Sequence, residues 1–201
     1  MSITIKQFNG SDWVSNCYII FNKEINSNCI IIDPGSNDIS DYVDFIEQNG
    51  LYPEYMIITH RHFDHFAGAN DIRKRFSNIK LFCSKECNVA IQNSRLNCSL
   101  LTNKQKPFVL EPAEEPFDGT LSLKWNGHNI YLVPTPGHTE DCVSIIIDDN
   151  VFTGDALLKD SPTITKLPSG NKGKQIVTEK YLMTLHGYKV WPGHGELFEI
   201  K

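Results

Sequence analysis

The stretch Thr59-His60-Arg61-His62-Phe63-Asp64-His65 carries four metal-capable side chains within six positions. It follows the apolar run Tyr55-Met56-Ile57-Ile58, which reads as a buried strand leading straight through Thr59 into His60. His60, His62 and Asp64 are spaced by two, so an extended backbone would project all three to one side. His65 then needs a change of direction, as where a strand gives way to a loop and a helix. Imidazole and carboxylate side chains are the natural ligands of a borderline divalent cation.

Three further residues repeat the same placement downstream. His138 lies in Pro-Thr-Pro-Gly-His-Thr after the strand-like run Asn129 to Pro134, and Asp155 lies in Thr-Gly-Asp-Ala after Asn150-Val151-Phe152. His194 lies in Trp-Pro-Gly-His-Gly after Tyr188 to Trp191. Each follows a strand and sits beside glycine, which lets backbone and side chain approach a site closely. Four strand ends would then present seven ligands at one edge, and work at the carboxyl ends of strands is a recurring layout in α/β proteins.

Around these motifs, strand runs at 2–8, 16–23 and 29–35 precede helical periodicity at 39–50. A helix is expected from Phe66 to Phe76, a strand from Ile79 to Phe82, and a further helix with Ser84 as its N-cap. Residues Leu101 to Glu115 have no clean period and read as a connecting or lid-like loop. Asn126-Gly127 predicts a hairpin between 121–125 and 129–134, and a second hairpin spans 143–156. The Gly-, Ser-, Pro- and Lys-rich segment 161–175 reads as a mobile loop, before a helix at Ile176–Leu185 and a last strand at 188–191. No repeat and no linker interrupts the chain. Strand blocks alternating with helices predict an α/β layered fold, as one domain over residues 1–201.

Composition agrees with a globular chain: 201 residues, 40% hydrophobic, 21% charged. The net charge of −5, with no Lys/Arg block, argues against a nucleic-acid surface. The longest uninterrupted apolar run, Cys17 to Phe21, is far short of the roughly 20 residues that cross a bilayer, so no membrane role is expected. The opening residues lack a charged segment followed by an apolar stretch and a cleavage site, so the expected location is cytoplasmic. Six cysteines are then expected as reduced thiols, Cys17 and Cys29 inside apolar strands. Cys83, Cys87 and Cys98 lack a fourth ligand for a metal site of their own. His128 in a hairpin turn and His186 before a glycine read as structural or solvated, as do Lys166, Lys172 and Lys174.

The series Thr-His-Arg-His-Phe-Asp-His, Pro-Gly-His-Thr, Thr-Gly-Asp-Ala and Pro-Gly-His-Gly resembles the metallo-β-lactamase superfamily in order and spacing, over nearly the whole chain. Residues 117–158 especially resemble its glyoxalase II-like (hydroxyacylglutathione hydrolase-like) branch. The resemblance implies a four-layer αββα sandwich with a binuclear metal site at one edge. It further implies that His60, His62 and His138 hold one metal, that Asp64, His65 and His194 hold a second, and that Asp155 bridges both. Two divalent ions are the implied cofactors, zinc first, with iron and manganese accepted by the same ligand set.

The expected activity is hydrolysis of a carbonyl bond, a thioester or related ester, by a metal-activated hydroxide. Asp64 is the expected catalytic residue, orienting the water and relaying its proton. Thr59 and Thr139 stand as hydrogen-bond partners of the ligands or as strand-end structure. Lactone hydrolysis, and metal binding without chemistry, are the alternatives. Zinc β-lactamases generally lack the bridging aspartate, flavodiiron relatives carry glutamate in place of His62, and the nucleases add a domain. Persulfide oxidation, which needs one iron, ranks last. The sequence runs seven residues past His194 and lacks the Gly-Arg pair common after the bridging aspartate, so recognition of glutathione is not expected to follow from the resemblance. A small-molecule substrate is the expected partner, and the oligomeric state stays open.

Overall fold

The computed structural model describes residues 2–10, 13–23, 28–102 and 106–201. Twelve strands form two six-stranded sheets among these residues. The first is built from β1 (Thr4–Asn9), β2 (Asn16–Phe21), β3 (Asn28–Ile32), β4 (Tyr52–Ile57), β5 (Lys80–Ser84) and β6 (Glu115–Phe117), in that spatial order. The second holds β7 (Leu121–Trp125), β8 (His128–Pro134), β9 (Val143–Ile147), β10 (Asn150–Gly154), β11 (Lys189–Pro192) and β12 (Phe198–Glu199), also in chain order. β3 to β6 run parallel to one another, while β1, β2 and β3 pair antiparallel. In the second sheet every pair is antiparallel except β10–β11.

Helices α1 (Ser40–Gln48), α2 (Ala69–Arg75) and α3 (Lys85–Ile91) cover the first sheet, and α4 (Lys172–Leu182) covers the second, which makes an αββα sandwich. The layering explains why β2 reads as an unbroken apolar run. Cys17, Ile19 and Phe21 face Tyr42 and Ile46 of α1 and the rest of the helix-side core. Tyr18 and Ile20 face the second sheet, where Ile130, Leu132, Val143, Ile145 and Phe152 meet them. Each such side chain removed from water contributes about 1.5–3 kcal/mol. Beneath α4, Leu182 packs with Val151 and Val190. No described helix is long and apolar enough to cross a membrane.

Local signals act as the sequence predicts at several points. The Ser84 hydroxyl accepts from the Cys87 amide and starts α3. Asn126 and Gly127 both have positive φ, 47° and 84°, the turn that joins β7 to β8. Boundaries move elsewhere. β4 begins at Tyr52 and ends at Ile57, two residues short of Thr59, and α2 waits until Ala69, after the turn at Gly68. α4 begins at Lys172 because Asn171 caps it, accepting from the Lys174 amide, so the last residues of the segment expected as a loop are helical. It ends at Leu182, and His186 therefore lies beyond the helix, with Nδ1 2.9 Å from the Lys201 carbonyl. β6 and β12 were not expected. Both are too short for a periodicity to register. The segment Leu101 to Glu115 falls partly, at 103–105, outside the described residues.

At one end the two sheets are stitched together. The Val143 amide donates to the Thr59 carbonyl at 2.9 Å, and the Asn16 amide to the Gly193 carbonyl at 2.7 Å. Tyr18 Oη and Asn16 Nδ2 both donate to the Pro192 carbonyl, at 2.6 and 2.9 Å. That end is where β4, β8, β10 and β11 finish.

Candidate metal centre

All seven expected ligands sit at this stitched edge. They form three overlapping groups whose ligand atoms lie within 4.8 Å of one another: His60, His62 and His138; His60, His65 and Asp155; Asp64, His65 and His194. The extended projection expected for His60, His62 and Asp64 stops at His62. Phe63–His65 is a 3-10 turn that carries Asp64 toward His194, while His65 stays beside His60 with its ring centroid 4.2 Å away. The turn is what sorts one motif into two triads.

In the first triad, His62 Nδ1 lies 3.2 Å from His60 Nε2 and 2.9 Å from His138 Nε2. The outward nitrogens fix the tautomers. His138 Nδ1 faces the Ile164 carbonyl at 2.7 Å, an acceptor only, so Nδ1 carries the proton. Thr59 Oγ1 donates to Asp33 Oδ2 at 2.6 Å and accepts from His60 Nδ1 at 3.0 Å. At most one proton is then left among three converging nitrogens, and a cation between them would answer all three.

In the second triad, His194 Nε2 is 3.3 Å and His65 Nε2 3.7 Å from Asp64 Oδ2. His65 Nδ1 donates to Asp33 Oδ2 at 2.9 Å, and His194 Nδ1 to the Val14 carbonyl at 3.1 Å. Asp155 stands between the triads. Its Oδ2 is 3.4 Å from His138 Nε2, and its Oδ1 is 3.5 Å from His65 Nε2 and 3.6 Å from His194 Nε2. His65 Nε2 and Asp155 Oδ1 are both buried without a hydrogen-bond partner, an arrangement that costs free energy unless something bridges them. Gly193 permits it, because a Cβ there would run into Asp155 Oδ1 and reach 2.7 Å from His65 Cε1.

The electrostatics differ between the triads. Burial, reinforced by the neighbouring histidines, drives His60 well below the ordinary range and His62 down to about 3, so both rings are neutral imidazoles. Burial alone would also lower His65, but the Asp64, Asp155 and Asp33 carboxylates outweigh it and lift the group to about 10. Burial would raise Asp64, and His65 and His194 together hold it low instead. The second triad is thus a place that favours positive charge. Three converging imidazole nitrogens beside a carboxylate-rich pocket fit a divalent cation at each.

Two features were not expected from sequence. Asp33 accepts from the Thr59 amide at 2.8 Å, from Thr59 Oγ1 and from His65 Nδ1, and so supports a histidine in each triad. The signal was present: Asp33 ends an apolar strand and precedes Pro34-Gly35, as His138 and His194 follow theirs beside glycine. Arg61, between His60 and His62, turns the other way and pairs with Asp141. Of the two threonines, Thr59 touches the His60 ring, whereas Thr139 contacts Cys142 Sγ at 3.1 Å as part of its turn. His128 lies outside the site and pairs with Asp148 at 2.8 Å. All six cysteines are buried and free.

A family model described as the metallo-beta-lactamase superfamily matches residues 10–194. A probable metallo-hydrolase of Streptococcus pyogenes serotype M6 is 30% identical over 187 residues, 90% of this chain and 78% of that protein. A hydroxyacylglutathione hydrolase of Pectobacterium carotovorum is 36% identical over 140 residues, 70% of this chain and 46% of that protein. The chain spans about half the length of the hydroxyacylglutathione hydrolases it matches. The crystal structure of BLEG-1 B3 metallo-beta-lactamase is similar at a TM-score of 0.90 and 25% identity, covering 98% of this chain and 94% of that one. A protein solved in a di-iron-bound form shares the fold at a TM-score of 0.79 and 21% identity, with 97% of this chain and 94% of that one covered.

Proposed function

This chain belongs to the metallo-beta-lactamase superfamily, and from that premise we propose that it is a metal-dependent hydrolase of a thioester or related ester. His60, His62 and His138 would hold one divalent cation and Asp64, His65 and His194 a second, with one Asp155 oxygen directed to each. Zinc suits this ligand set best, and iron and manganese accept it too. Bound there, such ions supply the positive charge that brings the pKa of a water toward about 7 and polarises a carbonyl oxygen.

The chain's own residues would do the rest. Asp64 directs Oδ2 toward His194 and His65, and its other oxygen is assigned to orient the attacking water and take its proton. Asp33 holds the orientation and tautomer of His65 directly and of His60 through Thr59, which keeps their Nε2 lone pairs turned inward. The Ile164 and Val14 carbonyls do the same for His138 and His194.

The observation that carries the reading is Asp155, with one oxygen facing each triad. The match to hydroxyacylglutathione hydrolases supports a thioester as the bond cleaved. The likeness to BLEG-1 B3 metallo-beta-lactamase favours a second reading, opening of a β-lactam ring. Asp155 argues against it, since zinc β-lactamases generally lack that carboxylate.

Purified protein assayed against thioesters, lactones and a β-lactam tests the assignment. Thioester turnover should exceed that of Asp64→Asn by about 10²–10⁴-fold. Stoichiometric metal with no panel substrate turned over above the Asp64→Asn level would mean a metal-binding protein without hydrolase activity.

A further inference from the structure

We propose that the Arg61–Asp141 ion pair is a positioning clamp for the first triad, setting how the loop bearing His60 and His62 meets the loop bearing His138. The inference rests on the reading of that triad as a metal site. Arg61 stands in sequence between two of its histidines, and Asp141 stands three residues beyond the third.

The contact joins main chain as well as side chain. Arg61 Nε donates to Asp141 Oδ1 at 2.6 Å, and the Arg61 backbone amide donates to Asp141 Oδ2 at 2.8 Å. One carboxylate therefore holds the peptide that joins His60 to Arg61, one residue from His62. Arg61 Nη2 also reaches Glu140 at 2.8 Å, so two consecutive residues of the His138 loop are engaged. Asp141 is itself anchored, because its carbonyl accepts from the Ser84 hydroxyl at 3.0 Å, at the end of β5. The planar guanidinium presents its donors in a fixed fork, which makes the spacing between the loops stiff.

Burial argues that the pair does more than stabilise the fold. The side chains of Arg61 and Asp141 are 5% and 0% exposed, and a buried ion pair seldom outperforms apolar replacements of similar volume in stability. Its benefit here is geometric. His60 Nε2 and His138 Nε2 lie 3.2 and 2.9 Å from His62 Nδ1, a spacing spoiled by a small shift of either loop. The second triad takes its ligands from the 3-10 turn and from the loop after β11, neither of which the pair touches.

The test compares the wild type with Arg61→Lys and with the double variant Arg61→Met/Asp141→Leu, which leaves no buried charge unpaired. Affinity for each of two cobalt equivalents is read by chelator competition, alongside the melting temperature. His194→Ala, lacking a ligand of the second triad, identifies which equivalent belongs to which triad. The double variant should fold and bind the first-triad equivalent about 10–100-fold more weakly, with the other changed by less than about threefold. Arg61→Lys, which keeps the charge but not the fork, should weaken the same equivalent by a smaller factor. A folded double variant with both affinities at wild-type level overturns the clamp, and if that variant does not fold, an unchanged Arg61→Lys does so. A wild type that takes up no divalent metal overturns the metal reading and the clamp with it.

Discussion

The Asp33 carboxylate lies 2.9 Å from His65 Nδ1, across 32 residues of sequence, and the same carboxylate holds the Thr59 amide and hydroxyl. One buried acid thus braces a histidine in each triad. Asp33→Ala would leave three buried donors without an acceptor, at about 1–3 kcal/mol each. We expect a large fall in melting temperature and about 10–100-fold weaker metal binding. Asp33→Asn should be milder, since asparagine tolerates the positive φ of 49° at this position and keeps acceptor oxygen. Equal losses from both variants, by calorimetry and chelator competition, would contradict the bracing role.

Asp155 directs one oxygen to each triad, so its removal should uncouple them. Asp155→Ala is expected to lower the metal content from two equivalents toward one, with the fold intact. Elemental analysis after gel filtration is the measurement. A variant that keeps two equivalents would sink the bridging assignment.

Gly193 leaves no room for a methyl group against Asp155 Oδ1 and His65 Cε1. Gly193→Ala should displace those ligands and cost about 1–3 kcal/mol through overpacking. Loss of second-triad metal should accompany the loss of stability. Wild-type metal content in this variant would show that the close approach is not required.

Burial raises the Cys29 thiol to about 12 and lifts Cys17, Cys87, Cys98 and Cys142 above their ordinary range as well. A disulfide reagent at pH 8 should therefore find almost no reactive thiol in the folded chain and six after denaturation. The same shifts carry a pH dependence. Above about pH 9 the unfolded chain loses thiol protons that the folded chain keeps, so stability should fall as the pH rises from there. Denaturant midpoints measured at pH 8 and pH 10.5 decide the sign.

Much of the site was legible because its residues are marked locally. A histidine or aspartate directly after an apolar strand, beside glycine, is a short-range signal, and β8, β10 and β11 each carry it. The spacing of His60, His62 and Asp64 misled in one respect: alternation assumes an extended backbone, and the 3-10 turn at Phe63–His65 breaks it. The ends of β4, α2 and α4 shifted for similar local reasons, a turn at Gly68 and an asparagine cap at Asn171.

By itself the sequence determined most of the strand and helix blocks and the set of side chains available to ligate. Hydrophobic period and turn chemistry are properties of neighbouring residues, and they survive in one dimension. Only the tertiary structure decided that Asp33 braces both triads and that Arg61 reaches Asp141. Those relationships join residues 26 to 80 positions apart. Nothing in the local chemistry of either partner specifies the other. They arise where β4, β8, β10 and β11 end together, and the packing of two sheets face to face brings them there.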